Sequence, residues 1–240
     1  MEGEKKREDK SPSFAESLAA DEEQLMELAE PGIILEDQTT WRLLLAEYRR
    51  LESDFLGLTY YIPLVSDLKA PNYNFGSPAT SAFGLDASTT VETAFRRFLR
   101  SPRFDDDRGF VEARKTETKG KATMNLYREV IAPRYGLAEG GLRLIGVPLL
   151  VRPFDSFARG ENPEWFRTYS RLKHDRIDLA AEWTLRFALE SLAGLALVLR
   201  AFVQAGLAPL VVESEVFENL RFPRVLNPYA GWEPNVPAKP

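Results

Sequence analysis

The stretch from Leu192 to Val212, LAGLALVLRAFVQAGLAPLVV, is apolar on nearly every side and long enough to cross a bilayer. A helix with no polar face has to be enclosed, either by lipid or by the rest of its own chain. Arg200, Gln204 and Pro209 interrupt the run and Glu190 sits just before it. A charge near the bilayer centre costs about 2.5–3.5 kcal/mol. The stretch is therefore read as a buried central helix followed by a short strand or loop, with no membrane span.

Such a helix needs amphipathic neighbours, and the sequence supplies them. Trp41, Leu44, Leu45, Tyr48, Leu51, Phe55 and Leu58 recur at spacings of three and four, which predicts a helix capped at Thr39 or Thr40 and ending near Pro63. Residues 69–88, with two prolines and two glycines, read as a long connection. Val91, Phe95, Phe98 and Leu99 form a short helix stopped by Pro102, and FDDDRGF is a loop or helix cap. A further helix runs from Met124 towards Pro133, and GLRLIGVPLLVRPF is a short edge strand or extended cover. NPEWFRTYSRLKHDRIDLAAEWTLRFALESLAGLALVLRAFVQAG then gives two helices or one bent one, with Asn162 as cap and Pro163 in the first turn. The expected fold is mainly α: a helical bundle with long loops, a short edge strand and extended termini. Residues 1–30 are expected to form a mobile charged arm containing a short amphipathic helix from Ser13 to Ala29. Residues 31–221 are expected to form the helical domain. The last nineteen residues carry five of the sixteen prolines and read as an extended tail that can engage a protein partner.

Composition narrows the chemistry. With no cysteine, the 240-residue chain has no disulfide, thiolate nucleophile or cysteine-based metal centre, and a reducing, cytoplasmic setting is expected. The N-terminus, MEGEKKREDKSPS, has charge where a secretory signal needs an apolar stretch. One histidine rules out a multi-histidine metal site, so no metal and no cofactor are expected. The net charge of −5 hides a segregation: residues 1–69 hold 8 basic and 16 acidic residues, residues 96–176 hold 18 basic and 11 acidic. A basic middle can draw a polyanion to one face of an acidic protein, or its charges can intermingle with carboxylates once folded.

The lone histidine lies in WFRTYSRLKHDR. On a helical wheel Trp165, Tyr169 and Leu172 share one side, while Arg167, Arg171, His174 and Asp178 share the other at spacings of 4, 3 and 4. Imidazole exchanges a proton near neutral pH, and a planar guanidinium holds two phosphate oxygens. That pairing suits metal-free cleavage of RNA, with His174 and Arg167 as the catalytic pair and Arg171, Lys173 and Arg176 as substrate contacts. A symmetric homodimer through the Arg167–His174 face would bring two imidazoles to one centre. The same spacing also fits an ordinary charged helix face. Asp105 to Asp107 read as a solvated turn, and Asp175, Asp178 and Glu182 as ion-pair partners for Arg171 and Arg186.

Arg167 to His174 satisfies the loose pattern of arginine, four to six residues, then histidine. In this it resembles the HEPN superfamily, small helical domains named for nucleotide binding in higher eukaryotes and prokaryotes. The following WTLRFALESLAGLALVL resembles the final core helix of that fold. The commonest form of the motif has arginine at the position of Tyr169. The resemblance implies a HEPN-like bundle, a dimeric composite site, and RNA binding or metal-independent endoribonuclease activity, as in toxins and phage-defence enzymes. Two other readings stand beside it: a non-catalytic assembly subunit of a microbial or viral complex, and a nucleotide or small-molecule binder using the basic stripe as its anion contact.

Overall fold

The apolar stretch is helical up to Gln204, and protein encloses that helix. In the computed structural model, residues 35–60, 62–121, 124–175, 179–208 and 214–218 are described, all within one unit spanning Ile34–Pro240. The expected N-terminal arm and Pro-rich tail lie outside the described residues. The helices run in the order α1 (Leu35–Thr59), α2 (Pro78–Arg100), α3 (Arg108–Thr116), α4 (Met124–Val130), α5 (Ala132–Tyr135), α6 (Glu164–Leu172) and α7 (Leu185–Gln204). Three short strands, β1 (Leu142–Leu144), β2 (Leu150–Val151) and β3 (Phe217–Glu218), form an antiparallel sheet in the order β2-β1-β3. Leu142 pairs with Val151 and Leu144 with Phe217. The expected edge strand is thus a hairpin whose first strand is central.

Sixteen of the twenty residues of α7 are buried. It packs chiefly against α2, with α1 and α6 on its flanks and β2 at one end. Of the predicted inward residues of α1, Trp41, Leu44, Tyr48, Leu51 and Phe55 are buried, and Leu45 and Leu58 are half-buried against the core. Aromatic rings fill the space around α2. Phe98 stands edge-on to Phe202 at 5.0 Å between centroids, and Phe95 stacks on Tyr127 at 4.8 Å. Such contacts contribute about 0.5–1.5 kcal/mol each beyond the area they bury. On α1, Glu52 is buried, and its Oε1 accepts from the Tyr48 hydroxyl and from the Glu215 N–H, both at 3.0 Å. These bonds hold the approach to β3 against the helix.

Residues 69–88 depart from expectation. Helix α2 begins at Pro78, not near Thr89, so half of the expected connection is helical. Ser77 and Thr80 form a capping box: the Ser77 hydroxyl accepts from the Thr80 N–H at 3.1 Å, and Thr80 Oγ1 accepts from the Ser77 N–H at 2.7 Å. Gly84 is there because nothing larger fits. A Cβ at that position would sit 1.9 Å from the indole of Trp183, which is fully buried against α2. A Cβ on Gly76 would meet the Ala181 carbonyl at 2.1 Å, so residues 181–184 lie flush against the start of α2. At the other end, Asp107 caps α3 through the Gly109 and Phe110 N–H groups, as FDDDRGF suggested. Pro163, and not Asn162, occupies the cap position of α6.

Gly84→Ala tests the contact with Trp183. Alanine gains about 1 kcal/mol in helix propensity, but overpacking a filled core costs about 1–3 kcal/mol and occasionally more. The expected result is a net loss, read as a Tm lower by roughly 2–8 °C in a domain of this size. An unchanged or higher Tm would show that the indole moves aside freely.

Candidate functional site

Helix α6 is amphipathic over its whole length. Trp165, Thr168, Tyr169 and Leu172 are buried, while Glu164, Arg167, Ser170 and Arg171 are exposed. The Trp165 indole N–H donates to the Pro153 carbonyl at 3.0 Å and fixes the start of the helix. Tyr169 fixes its far half. Its hydroxyl donates to Glu92 Oε2 at 3.0 Å and lies 3.1 Å from the Thr89 hydroxyl, both on α2. Position 169, where the HEPN-type motif most often has arginine, is therefore an inward structural tyrosine here.

The helix ends at Leu172, before the histidine. His174 lies in the turn that follows, exposed, its backbone N–H bonded to the Arg171 carbonyl at 3.0 Å. Its imidazole has no ion pair or hydrogen bond among the described residues. The expected stripe of Arg167, Arg171, His174 and Asp178 along one helix is thus cut short. Residues 176–178 are not described, so Arg176 and Asp178 lie outside the described residues. The expected substrate contacts also separate. Arg171 is ion-paired with Glu182, one of the partners the sequence suggested. Arg186 pairs with Glu190 at 2.8 Å and lies 3.7 Å from Glu164, rather than with the acidic residues after α6.

Lys173 reaches back towards α2. Its Nζ lies 2.8 Å from Glu92 Oε2 and 4.1 Å from the centroid of the Tyr169 ring. Burial pushes the Glu92 carboxyl up, but the Lys173 ammonium, the Tyr169 hydroxyl and the Arg96 guanidinium outweigh burial and hold it below the usual range. Burial likewise works against the Lys173 ammonium, and Glu92 with Tyr169 raises it overall.

Arg167 is placed differently. It is exposed, has no ion pair among the described residues, and stands at a cleft of about 410 Å³ between α2, α4 and α6. Glu92 and Lys173 border this cleft on one side, and Phe166 and Ser170 of α6 line another. Helix α4 contributes Asn125 and Tyr127, and Asn162 comes from the segment before α6. His174 is not among the lining residues. The volume falls in the range of small-ligand sites. Asn162 Oδ1 is buried here with no hydrogen bond among the described residues, and the buried Tyr127 hydroxyl lies beside Arg96. Burial pushes the Tyr127 phenol up to about 12, opposed by the nearby Arg96 charge.

Much of the basic middle segment is neutralised internally. Arg100 grips the buried Glu117 carboxylate in two bonds of 2.8 and 2.7 Å, and Arg96 reaches the same group at 3.1 Å. Asp105 and Asp107 pair with Arg114 and Arg134. Two of the three aspartates are thus tied up in a cap and ion pairs. Among the described residues, no group of three or more His, Asp or Glu side chains is placed to hold a metal ion. Glu92, Tyr127 and Asn162 were not singled out as site residues by the sequence, because they lie in three separate segments.

The Glu92–Lys173–Tyr169 network generates a pH-dependent outcome. A carboxylate held below 4.5 in the fold stabilises it above the ordinary carboxylate range, and that contribution is lost as pH falls through the depressed value. The Tm difference between wild type and Glu92→Gln is expected at pH 7 and should shrink by about pH 3. A difference that stays constant with pH would remove the ionic coupling.

No family model, curated protein or solved structure matches this chain.

Proposed function

We propose that this protein binds single-stranded RNA at the cleft between α2, α4 and α6, as a HEPN-like RNA-binding protein or metal-independent endoribonuclease. The observation that carries the reading is Arg167. Arg171 and Lys173 are committed to Glu182 and Glu92, whereas Arg167, with no ion pair among the described residues, presents its guanidinium at a cleft with amide, hydroxyl and aromatic groups. A guanidinium so placed suits a phosphate, and Phe166 beside it suits a base.

His174 supplies the chemistry in this reading. Its imidazole takes the proton of a 2′-hydroxyl, the freed oxygen attacks the adjacent phosphorus, and the 5′-oxygen leaves with a proton. The products are a 2′,3′-cyclic phosphate and a 5′-hydroxyl. With one histidine per chain, the proton donor for the leaving oxygen is His174 of the partner subunit in a homodimer formed through the end of α6. Exposure of His174 beyond the helix end leaves it open to such a partner.

Binding and cleavage are tested separately. With a labelled single-stranded RNA, Arg167→Ala should weaken binding and lower the salt slope by about 0.7, one phosphate contact on a single strand. Arg171→Ala should leave that slope unchanged. His174→Ala should abolish cleavage while preserving binding, and wild-type cleavage should survive a chelator. Equal binding by wild type and Arg167→Ala removes the phosphate contact, and cleavage by His174→Ala removes the catalytic role.

A further inference from the structure

The cleft beside Arg167 has a polar character that a phosphate does not account for. Asn162 Oδ1 is buried and accepts no hydrogen bond, although its residue lines the cleft. Burying an acceptor without a donor is unfavourable, so an atom in this condition selects for a donor in whatever enters. The Glu92 carboxylate lines the same cleft and is a second acceptor. The Tyr127 hydroxyl is also buried there, beside the Arg96 guanidinium. Phe166, half-buried and tilted against Tyr169 at 5.4 Å, is held in place by its ring neighbour. The cleft therefore combines an aromatic side chain, one buried acceptor without a donor at Asn162, a carboxylate at Glu92 already held by Tyr169 and Lys173, and a cation at its edge.

We infer that this cleft reads one unstacked base of the RNA and selects a base carrying an exocyclic amino group over uracil. The inference rests on the RNA reading above and deepens it. Phe166 stacks on the base, Asn162 Oδ1 and the Glu92 carboxylate accept from the amino group, and Arg167 holds the phosphate of the same nucleotide. Cytosine and uracil make the sharpest comparison, because they differ in whether the ring carries an amino group or a carbonyl oxygen at one position. A carbonyl oxygen there would face Asn162 Oδ1 and give it no hydrogen.

The test is fluorescence anisotropy with labelled decamers of cytidylate, adenylate and uridylate at fixed salt. Cytidylate and adenylate should bind about fivefold tighter than uridylate or better, the factor that one satisfied hydrogen bond supplies. In Asn162→Leu the preference should disappear while uridylate binding stays unchanged. Asn162→Asp keeps an acceptor in the same place and should keep the preference. Retention of the wild-type Tm by Asn162→Leu shows that the loss is one of recognition. Equal affinity for all three decamers overturns base selection and leaves RNA binding standing, as does a preference that survives Asn162→Leu. Binding of none of them overturns the RNA reading and this inference with it.

Discussion

A helix that is apolar on every side dictates the rest of this structure. Because α7 offers water almost nothing, the chain has to surround it, and α1, α2 and α6 each spend their apolar face doing so. The close approach is visible at Gly194, where a Cβ would come within 3.2 Å of the Trp165 ring and 3.3 Å of Phe154. Beyond Arg186 in its first turn, the two charges carried along are handled near the helix ends. Glu190 is buried beside Arg186, and burial pushes its carboxyl up despite that partner. Burial likewise pulls the Arg200 guanidinium down. Neither charge sits mid-helix, which is where the cost of enclosure in protein would be greatest.

Sequence pattern disclosed what depended on that enclosure. The inward faces of α1 and α6 are periodic, and the structure buries most of the residues that the period selects, among them Trp41, Leu44, Tyr48, Leu51 and Phe55 on α1 and Trp165, Tyr169 and Leu172 on α6. The start of α2 was hidden because its residues answer to a distant partner. Ala79, Ser81 and Gly84 look like loop composition, yet Gly84 is small to admit Trp183, ninety-nine positions away in the chain. One local signal was present: Ser77-Pro78-Ala79-Thr80 spells a cap, a first-turn proline and a capping-box partner.

The end of α6 was hidden for a related reason. No glycine or proline follows Leu172 to mark a stop, and the wheel runs on smoothly to Asp178. What stops the helix is tertiary. Trp183 must reach its slot beside Gly84, and Arg171 is tied to Glu182, so the chain turns away while Tyr169 and Lys173 hold the helix to Glu92. Consequently the histidine and the arginines that share a face on paper occupy a turn, an ion pair and a cleft edge. The site residues from α2, α4 and the segment before α6 meet only because that packing brings them together.

The charge pattern acquires a different meaning from this geometry. An excess of basic residues between 96 and 176 suggests a broad positive field, but Arg96, Arg100, Arg114 and Arg134 each face a carboxylate within the same segment. Fields from such pairs cancel within a Debye length of about 10 Å at 0.1 M salt. An anion approaching an acidic protein of net charge −5 therefore gains little long-range steering. Under the proposed RNA reading, attraction comes at contact, from Arg167, whose guanidinium has no ion pair among the described residues, and from the polar groups behind it. On that proposal, the site discriminates by shape and hydrogen bonding more than by charge.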